Sequence, residues 1–145
     1  MEIFQVGDLA IKIVGNPAEA FSMQEKRRLV NESIPLVKKV FRNDVVSEAE
    51  SMARLIEVST LIYVEDSSGS LIGFSSCTPV MVENDTIIHL KGCVLHPGYQ
   101  GRGLYNILTT TRILYEAERR AHETLMVGTR TQSPIVFQNM SMRLG

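Results

Sequence analysis

Residues Gly92 to Tyr115, GCVLHPGYQGRGLYNILTTTRILY, constrain this chain more than any other stretch. An apolar, strand-like run from Ile87 to Leu95 passes through a Pro/Gly loop directly into a pattern of helical period. Gln100-Gly101-Arg102-Gly103 lies between the two. Glycines there allow positive φ and close approach of the backbone to a ligand. The helix that follows offers unpaired N–H groups and the positive end of its dipole. Together these make an anion site suited to a diphosphate. The plainer reading of the same residues is a tight turn.

A chain of 145 residues, 44% hydrophobic and 21% charged, fits one globular domain over residues 1–145. No repeat, linker or low-complexity segment divides it. A net charge of −1 gives no electrostatic basis for nucleic-acid binding. The N-terminus lacks a basic region and a signal-length apolar run, and no apolar stretch approaches the roughly 20 residues that span a bilayer. The expectation is a soluble, cytoplasmic protein with no membrane or nucleic-acid partner. Cys77 and Cys93 sit in apolar runs and form no CxxC pair, so small buried thiols are favoured over a disulfide or a metal site.

Leu9 to Val14 reads as a strand closed by Gly15-Asn16-Pro17, with Ile3 to Val6 as its hairpin partner or an earlier part of the same strand. Ser22 to Glu25 and Ser47 to Glu50 have capping-box form and start helices. Pro35 predicts a break or kink near Asn31 to Ser33. Ala49, Met52, Ala53 and Ile56 mark the inner face of the later helix. Thr60 to Glu65, Leu71 to Val82 and Thr86 to Leu95 form an antiparallel meander, in which Pro79 implies an edge or a bulge. Leu104 to Ala121 is the strongest helix, with Ile107, Thr111, Leu114, Ala117 and Ala121 on one face and Leu104 and Leu108 beside it, and Glu116 can pair with Arg120. A short strand, Thr124 to Thr129, and a helix from Ser133 complete the chain. Strands that both meander and cross over through a helix give a mixed sheet flanked by helices, class α/β (α+β).

A P-loop needs Gly-Lys-Ser/Thr, which is absent, and a dinucleotide fingerprint needs a third glycine and a later acidic residue. Val94 to Leu104, VLHPGYQGRGL, instead closely resembles the acyl-CoA-binding segment of the GNAT superfamily of N-acetyltransferases. The order of elements before it, and the closing Met140 to Gly145 with its Arg-Leu-Gly turn, resemble that family as well. The resemblance implies the acyl-CoA N-acyltransferase fold. It also implies transfer of an acetyl group from acetyl-CoA, with no metal, to an amine by direct attack. The backbone of Gln100, Gly101, Gly103, Leu104 and Tyr105 would hold the CoA pyrophosphate, with Arg102 beside it. Cys93, Val94 and Leu95 would pair with the pantetheine arm, and a backbone N–H there would polarise the thioester carbonyl.

This sequence departs from the family in places. Tyr105 replaces the last small residue of the motif, and Ser141 stands where the family usually has a tyrosine acid. The chain stops at Gly145, where the family usually continues into one or two more strands, so a partner strand completing the sheet, and hence a homo-oligomer, is one expectation. His89 is the candidate general base, its natural pKa suiting proton removal near neutrality, although a satisfied strand histidine is the plainer reading. Glu83 and Asp85 are runners-up, His96 reads as structural, and Tyr99, Tyr105 and Tyr115 are further proton-donor candidates. The acceptor, a small-molecule or protein amine, has no readable motif. A non-catalytic CoA-binding regulatory or interaction module is the alternative, and transfer of a longer acyl group a second.

Overall fold

Turns and caps written in the sequence set most element boundaries in the computed structural model, which describes residues 1–41, 46–119 and 125–129. Strands β1 (Glu2–Val6) and β2 (Leu9–Gly15) form an antiparallel hairpin through Gly7, whose φ is 60°. Asn16, at φ 51°, turns the chain into a short helix α1 (Pro17–Ala20), with proline at its first turn. The sequence pattern there reads only as a turn.

Helix α2 (Met23–Phe41) starts where Ser22 Oγ accepts from the Glu25 N–H at 3.2 Å. Pro35 lies inside it, and no break at Asn31 to Ser33 divides it. Leu29, Val30, Leu36 and Val37 are buried on both sides of the proline, and Ser33 Oγ donates to the Val30 carbonyl at 2.7 Å. That packing offsets the cost of a helical proline, about 3 kcal/mol. Helix α3 (Glu48–Leu55) is capped by Ser47 Oγ, which accepts from the Glu50 N–H at 3.1 Å. Its inner face is Ser51 and Leu55 with Ile56, so the expected stripe is rotated: Ala49 is exposed and Met52 only half-buried.

Strands β3 (Thr60–Glu65), β4 (Leu71–Val82) and β5 (Asp85–Leu95) make the expected meander. Helix α4 (Leu104–Arg119) then crosses to β6 (Leu125–Thr129), which lies parallel to β5. The six strands follow chain order across one mixed sheet. β4 outruns β3, whose pairing ends at Cys77, so Pro79 faces only β5 and needs no second ladder partner. The helix expected from Ser133, together with Arg120, Met140, Ser141 and Met142, falls outside the described residues.

Strand alternation sends side chains to both faces of the sheet. On one face Val14, Leu61, Tyr63, Phe74 and Val94 pack with residues of α2 and α3. On the other Ile11, Ile13, Ile62, Val64 and Leu95 pack under Leu104 and Leu108 of α4. The buried side of α4 is Leu104, Leu108, Thr109, Arg112, Ile113 and Glu116, whereas Leu114 is 59% exposed. The face expected from hydropathy is therefore rotated, because Arg112 and Glu116 are buried charges. Glu116 accepts from Ser59 Oγ and Thr60 Oγ1, each at 2.5 Å.

Candidate acyl-CoA site

The site begins with a fault in the β4–β5 ladder. Ser76 opposes Gly92, but Cys77 opposes Leu90, so Lys91 is an extra, bulged residue. β6 pairs with β5 only from Thr86 to Leu90. Beyond the bulge, among the described residues, Lys91 to Leu95 has no strand on that side. The His96 N–H donates to the Ile72 carbonyl at 2.8 Å. Antiparallel alternation then bonds Val94 to Phe74 and turns the N–H and C=O of Cys93 and Leu95 toward the open edge. Gln100 Nε2 meets this edge and donates to the Leu95 carbonyl at 3.0 Å.

Arg112 holds the bulge from the helix side. Its Nη1 donates to the carbonyls of Ser76 at 2.9 Å and Gly92 at 2.7 Å, the pair that flanks the register shift. It is 3% exposed, and its Nε has no hydrogen-bond partner among the described residues. Burial pulls its pKa down. Two adjacent contacts tie the same helix to the sheet: Ser75 Oγ donates to the Leu108 carbonyl at 2.7 Å, and Thr109 Oγ1 lies 3.8 Å from Cys93 Sγ. Burial pushes the Cys93 thiol up, which keeps it protonated and a poor nucleophile. Cys77 is fully buried, as the sequence implies.

The loop between β5 and α4 opens with a turn over Pro97–Tyr99, capped by His96 Nδ1, which accepts from the Gly98 N–H at 3.0 Å. Gly101 and Gly103 have φ of 82° and 80°, a conformation that side chains resist. The first amides of α4 have no intrahelical acceptor and point into this loop. Arg102 is exposed and lies over the Tyr99 ring, 5.4 Å from its centroid, on the side of the β1–β2 hairpin.

Two cavities run end to end along the open edge. One, of about 400 Å³, is bounded by Gln100, Gly101, Tyr105, Leu95 and Cys93. The next, of about 610 Å³, continues past Cys93 to Gly92, Lys91 and Arg54. Phe41 and Cys93 border both. Tyr105 lines the loop-side cavity, 43% exposed, with its hydroxyl pKa raised by partial burial.

The other candidates are more distant. His89 is half-buried on β5, between Thr78 and Gly128, and does not line either cavity. Glu83 and Asp85 are exposed at the far hairpin, with Asp85 roughly 26 Å along the strand from Cys93. Tyr115 lines a groove against β1 and β2 on the other side of α4. Arg112 escapes sequence reading because a charge among helical apolar positions looks like a solvent-facing residue.

No family model and no curated protein matches this sequence. Solved structures do. An acetyltransferase of Trypanosoma brucei aligns at TM-score 0.61 and 17% identity, over 95% of this chain and 92% of its own. The ribosomal-protein-alanine N-acetyltransferase of Brucella melitensis aligns at TM-score 0.58 and 15% identity, over 94% and 90%. An aminoglycoside N-acetyltransferase in complex with CoA aligns at TM-score 0.57 and 14% identity, over 94% and 86%. The chain also matches the GCN5-related glucosamine N-acetyltransferase region of a fungal multi-domain β-N-acetylglucosaminidase, at TM-score 0.62 and 14% identity. That match covers 92% of this chain and 16% of the larger one. Among the described residues no helix is long and apolar enough to cross a membrane. The bulged and opened fifth strand, the glycine loop and the helix behind it are thus parts of a GNAT acetyltransferase fold.

Proposed function

We propose that the protein transfers an acetyl group from acetyl-CoA to an amine. The observation that carries this reading is the continuity between the open edge of β5 and the glycine loop at the start of α4. A diphosphate fits the loop, where Gly101 and Gly103 expose backbone at positive φ beside the first-turn amides of α4. An extended amide-bearing arm fits the edge, where Cys93 and Leu95 present alternate N–H and C=O groups as a strand would need them. Bound acetyl-CoA supplies an activated acyl carbon. The N–H at the strand edge stabilises negative charge developing on the acyl oxygen. Holding amine and thioester together supplies most of the remaining acceleration.

His89, outside the cavity lining, takes a proton only through intervening water. That distance is what favours the second reading, a CoA-binding module without turnover. A thermal titration with acetyl-CoA tests the binding shared by both readings, since a ligand of the native state raises the melting temperature. No shift at millimolar acetyl-CoA contradicts both. Thiol release in the presence of amines separates enzyme from binder. His89→Ala is expected to slow transfer with little change in CoA affinity, and unchanged turnover removes His89 from the mechanism.

A further inference from the structure

The cavity beyond Cys93 has a chemical character of its own. Arg54, in the last turn of α3, and Lys91, the bulged residue of β5, both line it. The rest of its described lining is Val37, Phe41, Gly92, Cys93 and Val94, with no carboxylate. Neither cation takes part in the ion pairs among the described residues, which gather instead around Arg28 and Glu65. Phe41, 57% exposed, stands at the junction with the loop-side cavity.

The geometry points to an acceptor amine that also carries an anionic group, a carboxylate or a phosphate, bound by Arg54 and Lys91. This inference rests on the acetyltransferase reading and specifies its second substrate. The loop-side cavity takes the donor, so the acceptor enters from the other end and the two meet at Cys93. An anion on Arg54 and Lys91 places the attached amine toward that junction, with its carbon skeleton against Val37 and Phe41. The amine must be unprotonated to attack, and nearby cations lower an ammonium pKa. In the transfer a nitrogen–carbon bond forms, the carbon–sulfur bond breaks with its electron pair on sulfur, and the proton lost by the amine ends on the thiolate. The same cations repel a polycation such as an aminoglycoside, the acceptor class named for one of the structural neighbours.

The test is ternary-complex formation with CoA, using N-acetylated products as probes. These are an N-acetyl amino acid with an apolar side chain, N-acetylated phosphoethanolamine, an uncharged N-alkylacetamide and a mono-acetylated polyamine. Thermal shift beyond that of CoA alone is expected for the anionic probes only, and the larger of the two identifies carboxylate or phosphate. Arg54→Gln and Lys91→Gln should each weaken the better anionic probe about tenfold, the value of one lost charge-assisted hydrogen bond. They should leave CoA affinity unchanged, since neither residue borders the loop-side cavity. In thiol release, the matching free amine should show a raised KM in these variants with kcat nearly unchanged. Equal or larger shifts with the uncharged or cationic probe overturn the inference, as does binding of an anionic probe that is indifferent to both substitutions, or no shift with any probe while CoA itself binds. Failure of the wild-type protein to bind CoA at all is a different result and overturns the acetyltransferase reading beneath it.

Discussion

Arg28 and Arg112 each reach from a helix onto the sheet, but into different surroundings. Arg28 of α2 meets Glu25, Glu32 and Glu65, each at 2.6 Å, and the Gly69 carbonyl at 3.2 Å. Lys12 of β2 joins the same Glu65. The β3–β4 register also shifts here, between Val64 and Glu65, but the charges around it compensate one another. Arg112 of α4 is more deeply buried and, among the described residues, donates to main-chain carbonyls on either side of a bulge, with no partner there for its Nε. At the first register shift charges pair with one another. At the second a buried cation bonds to the main chain, and the cavities lie along the strand beyond it.

The largest effect should come from Arg112→Met. It leaves two carbonyls without their donor, at about 1–3 kcal/mol each, and lets the bulge relax. Urea unfolding should show a loss of about 2–6 kcal/mol, with CoA affinity reduced more than affinity for phosphoadenosine diphosphate, the nucleotide half of CoA that needs only the loop. Arg112→Lys should recover part of both. Equal losses for the two ligands would mean that Arg112 merely supports the fold.

Arg28→Met should cost less, about 1–2 kcal/mol, because its carboxylates reach solvent or keep Lys12. It should leave CoA affinity untouched. A larger loss than for Arg112→Met breaks the comparison.

The Arg28 end should also respond to acid. The Arg28 hydrogen bond holds the Glu25 carboxyl below its ordinary value of 4.5 in the folded state. Folding therefore favours the ionised form, and this contribution is fully present above pH 4.5 and fades as pH falls through the lower folded value. In Arg28→Met the slope of stability against pH in that range should flatten, as read by urea midpoints. An unchanged slope assigns the acid sensitivity elsewhere. The smallest effect is Ser47→Ala, which removes the α3 cap and should cost about 1 kcal/mol without altering ligand binding.

The same contrast explains what the sequence discloses. The caps at Ser22 and Ser47, the meander and the glycine loop are local signals, and local physics realises them. The Pro35 break does not occur, because burial on both sides of it outweighs a local preference. The inner face of α4 is misread for a related reason. Apolar periodicity places Leu114 inside and Arg112 and Glu116 outside, but both charges find partners only in the assembled sheet. The bulge at Lys91 is equally silent, since no composition marks one extra residue in a strand. The loop of the candidate site is therefore legible in its residues, and the opened edge beside it only through the family resemblance.

Amide chemical shifts on titration with CoA address the central claim most directly. Alternation along β5 predicts that Cys93 and Leu95 shift strongly, together with Gly101, Gly103, Leu104 and Tyr105, while Val94, already bonded to Phe74, moves little. Strong shifts confined to other parts of the chain, or none at Cys93 and Leu95 while CoA binds, would contradict a cofactor arm laid along the open edge.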